Sequence, residues 1–373
     1  MDSNHFFAAG ARCAALVLAT CAALVFGAVI PAAAQMTTRQ HSLRVGGEDR
    51  TYLLSRPATA TGPQPTVIAL HAAAQTSESY RGYFGLEATA AREGFVAVYP
   101  QGIGRVWNDG RPAAMRLKAV LTPGDDVPFL IALVNKLVAE GVADPTRIYL
   151  TGISNGGFMV ERMACEYPEL FAAYAVIMAT APANYREECK PSRPVPIMFI
   201  HGTADSVIAW NGFWTPVGAT LSAPDSADLY ARLNGCAASD LISIPDREPL
   251  DATSVSVQRW TQCNGDAQVL LYRVDRGGHQ SPARAETAPD LATPFLGLRN
   301  RDIDAGEEIW SFFSNYRLAG ALSPQMGTAG PAGAALARTP PAGGVPMPVP
   351  SPLKKASQLV PPGAAAQRGI STQ

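Results

Sequence analysis

Arg147-Ile148-Tyr149-Leu150-Thr151-Gly152-Ile153-Ser154-Asn155-Gly156-Gly157 is the stretch whose reading decides the fold. It opens on a short apolar run of strand length, and the residues beyond Gly157 read as a helix ending near Tyr167. Between them sits Gly-x-Ser-x-Gly. A strand that passes directly into a helix through this pattern makes a sharp turn that holds the serine Oγ above the end of a sheet. Glycines two residues before and two after Ser154 remove side chains that would collide across that turn. The plain alternative, a small-residue turn without chemistry, explains the glycines but not the strand and helix on either side.

Working outward, the chain alternates between strand-like and helix-like segments. A hairpin is expected over 41–45 and 50–55, turning at Gly46-Gly47. Strands follow at 66–70, 95–99, 147–150, 175–178, 196–200 and 269–272. Helices are expected over 78–92, after Asp125-Asp126, after Ser154 and over 304–316. Acidic residues at the start of the 125–137 stretch suit the helix dipole. This order predicts an α/β fold with a mostly parallel central sheet and helices on both faces.

A serine hydroxyl at neutral pH needs a base to act as a nucleophile. In sheet architectures that carry this turn, an acid and then a histidine follow the serine in sequence. Only His201 and His279 follow Ser154. His279 lies in Gly277-Gly278-His279 after the last expected strand, where a loop can return an imidazole to the serine. His201 ends a strand and reads as a buried strand-end histidine. Asp205, in His201-Gly202-Thr203-Ala204-Asp205, fits the place of the acid that fixes the tautomer of His279. The rival Asp275 stands too close to His279 in sequence to come from a separate loop. Acyl transfer also needs backbone N–H donors for the oxyanion: one from Asn155, the other from the loop His71-Ala72-Ala73-Ala74-Gln75. Trp107, Trp210 and Trp214 are candidates to line a substrate cleft, although a lone tryptophan is more often core. No metal or organic cofactor is called for.

The two ends look unlike the middle. Residues 1–34 read as a signal peptide: Arg12, an apolar stretch to Ile30, then Pro31-Ala32-Ala33-Ala34. A membrane anchor and a lipoprotein site at Cys21 are the competing readings. Residues 319–373 lack Asp and Glu and collect prolines, a composition that predicts a disordered tail. About 280 residues, 35–318, remain for one domain. The whole chain has 373 residues, 47% hydrophobic and 16% charged, with a net charge of −1, which excludes a nucleic-acid binder held by a broad basic face. After loss of Cys13 and Cys21, Cys165, Cys189, Cys236 and Cys263 remain. An even number in an exported protein implies two disulfides. Three connectivities are open, and pairing by proximity joins 165–189 and 236–263.

Several motifs recur together: Gly152-Ile153-Ser154-Asn155-Gly156-Gly157, Trp107-Asn108-Asp109-Gly110-Arg111, His201-Gly202-Thr203-Ala204-Asp205 and Gly277-Gly278-His279. With them stand Asp125-Asp126-Val127, Asn234-Gly235-Cys236 and Asp302-Ile303-Asp304 ahead of Trp310. From about residue 40 to 316 the chain resembles the secreted polyhydroxybutyrate depolymerase and feruloyl esterase family of α/β-hydrolases. The resemblance implies a catalytic serine at Ser154, acid at Asp205, base at His279, an oxyanion donor at Ala73 and two disulfides. It also implies hydrolysis of hydroxyalkanoate esters or oligomers, or of hydroxycinnamate and acetyl esters on plant polysaccharide. A non-catalytic surface module that keeps the scaffold is the reading from another class. Two departures stand out. Ala72 occupies a position the family usually gives to glycine, which implies steric cost if φ there is positive. Gln280-Ser281-Pro282 replaces the aromatic residue that commonly follows the histidine.

Overall fold

The computed structural model describes residues 35–111, 124–215, 218–285 and 293–320, without the side chains of 214–218. The expected signal peptide and nearly all of the expected tail lie outside the described residues.

The described residues open on a hairpin, β1 (Met36–Val45) and β2 (Glu48–Pro57). Next come β3 (Gln64–Leu70), helices α1 (Ser77–Phe84) and α2 (Leu86–Glu93), and β4 (Val96–Pro100). Helix α3 (Val127–Ala139) leads to β5 (Ala143–Ile153), and α4 (Asn155–Glu166) to β6 (Ala173–Ile177) and β7 (Ile197–Gly202). A two-residue ribbon, β8 (Trp214–Thr215) with β9 (Gly218–Ala219), precedes α5 (Ala223–Leu233). Strands β10 (Ala238–Ser243), β11 (Ser254–Thr261) and β12 (Val269–Asp275) and helix α6 (Ala305–Phe313) complete the order.

Among the described residues ten strands form one sheet, ordered β1-β2-β4-β3-β5-β6-β7-β12-β11-β10. From β4 to β12 every pairing is parallel, while both edges are antiparallel. The parallel strands are near-continuous apolar runs because both faces are covered. Along β3, Ile68 and Leu70 join the layer of α3, α4 and α5, and Val67 and Ala69 join the layer of α1, α2 and α6. Along β7, Ile197 and Phe199 alternate with Met198 and Ile200 in the same way.

The expected helix over 78–92 is two helices. Gly85 takes the left-handed conformation at φ 69°, capping α1 and breaking the i to i−4 ladder before α2. The edge strand β10 and its neighbour β11 escape a search for apolar runs, since β10 is almost wholly exposed and β11 buries only alternate residues near its start. Disulfides join Cys165 to Cys189 and Cys236 to Cys263. The first ties the last turn of α4 to the segment leading into β7, and the second ties the end of α5 to the end of β11.

Candidate active site

Ser154 stands between β5 and α4 at φ 56°, ψ −120°, a conformation side chains rarely accept. The surrounding chain enforces it. The Ser154 amide donates to Ile177 O at the end of β6 (2.8 Å), and its carbonyl accepts from Phe158 N–H. A Cβ on Gly156 would lie 2.4 Å from Leu70 O and 2.7 Å from His71 O. One on Gly152 would lie 2.5 Å from Gly156 O. Glycine at both places lets the elbow fold on itself and press against the end of β3. Ser154 itself stays partly accessible.

The end of β7 supplies the acid. Asp205 Oδ1 accepts the amides of Val207 and Ile208, each at 2.8 Å, so a tight backbone turn fixes the carboxylate. Its other oxygen, Oδ2, accepts a 2.7 Å hydrogen bond from His279 Nδ1. Both side chains are buried. That bond assigns the Nδ1–H tautomer to the neutral ring and leaves Nε2 as the basic nitrogen. Asp275 instead pairs with Arg273.

His279 is moored by chain that comes later. Its amide donates to Leu296 O at 2.5 Å, and the Gly278 amide to Leu298 O at 2.8 Å. A Cβ on Gly278 would fall 1.9 Å from Leu296 O, so the two segments touch backbone to backbone. Gln280 Nε2 donates to Gly297 O (2.6 Å), and Tyr83 Oη accepts the Ser281 amide (2.9 Å). Gln280 and Ser281 therefore anchor this loop. Ser154, Asp205 and His279 all leave the sheet at its carboxyl edge. Backbone bonds stitch that edge together: Met178 N–H to Ile200 O, Thr203 N–H to Val274 O and Ala204 N–H to Gly277 O.

His201 is wholly buried, and its Nε2 donates to Ile208 O at 2.8 Å. Burial holds its pKa below the usual imidazole range, against the pull of Asp205 Oδ2 at 3.6 Å. It is a neutral strand-end histidine, as its position at the end of β7 implied.

The loop after β3 differs from expectation in one detail. Positive φ falls on Ala74 (66°), not on Ala72. The Ala74 amide donates to Arg105 O at 2.9 Å, and the Ala72 amide to Gln75 Oε1 at 3.1 Å. The steric cost of roughly 1–2 kcal/mol thus moves two residues along the chain. Ala73 is exposed at the outer turn.

Trp107 corrects the expectation of a cleft wall. It is 1% exposed, its Nε1–H donates to His71 O (2.9 Å), and its ring lies 4.9 Å from the His71 ring. A side chain sealed against two loops has no face left for substrate. Trp210 is half-buried and packs its ring against His201, 6.0 Å between centroids. Trp214 lies in β8, and its side chain is outside the described residues.

Sequence reasoning did not single out the side chains beneath the elbow. Asn155 Oδ1 accepts the Trp107 amide (2.7 Å), and its Nδ2 donates to Trp107 O (3.0 Å) and to Asp109 Oδ2 (2.7 Å). Asp109 also accepts from Arg111, whose guanidinium lies over the Phe158 ring. Under them Glu161 is fully buried, and neither of its oxygens has a hydrogen-bond partner among the described residues. Burial raises its pKa well above the usual carboxylate range. The Trp107-Asn108-Asp109-Gly110-Arg111 motif was the signal available in sequence.

Residues 50–186 match the family described as Esterase PHB depolymerase, a span that holds Ser154 but ends before Asp205 and His279. Putative esterase NocK of Nocardia uniformis subsp. tsuyamanensis is 29% identical over 267 residues, covering 67% of this chain and 75% of that protein. Feruloyl esterase B of Piromyces equi is 25% identical over 243 residues, covering 62% of this chain and 42% of its own length. The chain therefore spans less than half of that relative. Among solved structures, acetyl xylan esterase from Aspergillus awamori superposes with a TM-score of 0.51 at 16% identity, covering 74% of this chain and 99% of that one. The expected α/β-hydrolase fold and the expected family resemblance are both borne out.

Proposed function

Taking the chain as a carboxylic ester hydrolase of the α/β-hydrolase fold, related to the Esterase PHB depolymerase family through residues 50–186, we propose that it works through an acyl-enzyme on Ser154. His279 Nε2 takes the Ser154 proton as Oγ attacks the ester carbonyl. Asp205 stabilises the imidazolium that results. The amides of Asn155 and Ala73 hold the oxyanion. As the tetrahedral intermediate collapses, the C–O bond to the alcohol breaks, and His279 passes its proton to the departing oxygen. Water then attacks the acyl group, again giving its proton to His279, and Ser154 leaves with that proton restored. The observation that carries this reading is the 2.7 Å bond from His279 Nδ1 to Asp205, which holds the ring in the tautomer a base requires.

The substrates we assign are hydroxyalkanoate esters or oligomers. A second reading, feruloyl or acetyl esters on plant polysaccharide, is favoured by the names of relatives such as Feruloyl esterase B. Two disulfides support an exported protein, since such bonds persist in oxidising compartments. Among the described residues no helix is long and apolar enough to cross a membrane. Replacing Ser154 with Ala tests the mechanism. Hydrolysis of p-nitrophenyl butyrate and labelling by a fluorophosphonate should both vanish while the melting temperature holds. Retained turnover would end the assignment. A panel of hydroxybutyrate oligomers, methyl ferulate and acetylated xylan decides between the substrate readings.

A further inference from the structure

The two oxyanion donors proposed above lie just past the ends of adjacent strands: β3 and β5 pair in parallel as far as Leu70 and Gly152, and beyond that register the elbow and the loop after β3 leave the sheet. We infer that the buried Trp107 is the positioning residue that fixes one against the other, an inference that rests on the acyl-enzyme reading.

Three contacts build the bridge. The Asn155 carboxamide grips the main chain of Trp107 from both sides, accepting from its N–H at 2.7 Å and donating to its C=O at 3.0 Å. Asp109 accepts the remaining Nδ2 proton at 2.7 Å, so the carboxamide cannot rotate without breaking three bonds. From the other end of the same residue, the indole N–H donates to His71 O at 2.9 Å. That carbonyl lies two residues before Ala73. The His71 ring extends the lock, with Nδ1–H donating to Ala72 O at 2.8 Å and Nε2 accepting the Gly102 amide at 3.0 Å. Burial keeps this ring neutral, which leaves Nε2 free to accept.

The chain of contacts therefore runs from the side chain of one donor residue, through a single tryptophan, to the peptide that leads into the other donor. Donors held in place before the charge develops need no reorganisation in the transition state, and misplacing one by about 1 Å costs on the order of 100-fold in rate. A tryptophan that only filled space would need its ring and not its N–H.

Trp107→Phe separates these roles, because it keeps an aromatic ring in the cavity and deletes the donor. On p-nitrophenyl butyrate, kcat should fall roughly 10- to 100-fold, with KM moving less than about threefold. Affinity for phenylboronic acid, whose adduct on serine mimics the tetrahedral intermediate, should weaken by a similar factor. A kcat within twofold of the parent, with unchanged boronate affinity, overturns the inference. Should Trp107→Phe not fold, Asn155→Ala cuts the bridge at its other end, and the same two readings apply to it. Inactive Ser154→Ala beside a fully active Trp107→Phe would remove this inference alone. Active Ser154→Ala would remove the reading beneath it.

Discussion

Replacing Asp205 with Asn should nearly silence the enzyme while leaving it folded, and the direction of the effect follows from two backbone amides. Val207 and Ile208 both point their N–H groups at Asp205 Oδ1, each at 2.8 Å. An asparagine there must turn its carbonyl oxygen toward them, since an NH2 group would face two donors. Its Nδ2 then points at His279 Nδ1, where the native carboxylate oxygen accepts at 2.7 Å. Donor meets donor unless His279 changes tautomer. With the proton on Nε2, the ring cannot accept the Ser154 proton. A base held in the wrong tautomer costs roughly 10⁴-fold in kcat, about 5 kcal/mol at 1.36 kcal/mol per decade. Exchanging a charged acceptor for a neutral one costs about 1–2 kcal/mol of stability, a shift of a few degrees in melting temperature. The assay is p-nitrophenyl butyrate hydrolysis at pH 7 beside a circular-dichroism melt. Activity within tenfold of the parent would show that the Asp205–His279 bond does not govern the chemistry.

Two further outcomes follow from groups near the elbow. Glu161 keeps its proton in the folded chain because burial raises its pKa, whereas the unfolded chain loses it near pH 4.5. Its contribution is therefore fully present below that value and is lost as pH rises, at up to about 1.4 kcal/mol per pH unit. Glu161→Gln should raise the melting temperature more at pH 8 than at pH 5, and parallel curves would contradict the assignment of a neutral carboxyl. At the elbow, Gly156→Ala places a methyl group 2.4 Å from Leu70 O, backbone against backbone. Strain of about 1–3 kcal/mol and a marked loss of turnover should follow, and a melt and activity equal to the parent would disprove the contact.

Ser154, Asp205 and His279 were legible as candidates because each stands where strand order demands a loop: after β5, after β7 and after β12. Apolar runs marked the central strands because both faces of the sheet are covered there. The exposed edge strand β10 has no such run, and β11 beside it buries only alternate residues near its start, so both stayed hidden. Gly85 was visible as a residue, but helix-like composition on both sides concealed the break it makes. Trp107 was visible too, yet its role depends on which loops close over it. That is long-range packing, which a local pattern does not encode. The same holds for Ala74: the strain falls where Arg105 O meets the loop, a contact 31 residues away in sequence.

The mooring of the Gly278-His279 segment to Leu296 and Leu298 sets an order of assembly. A ribosome delivers the serine and acid first and the imidazole later, but the carbonyls that seat this imidazole come last. On the proposed mechanism, a nascent polypeptide has no seated base until synthesis has passed Leu298. A truncation just upstream of Leu296 would keep Ser154, Asp205 and His279 and still lack the carbonyls that seat the imidazole.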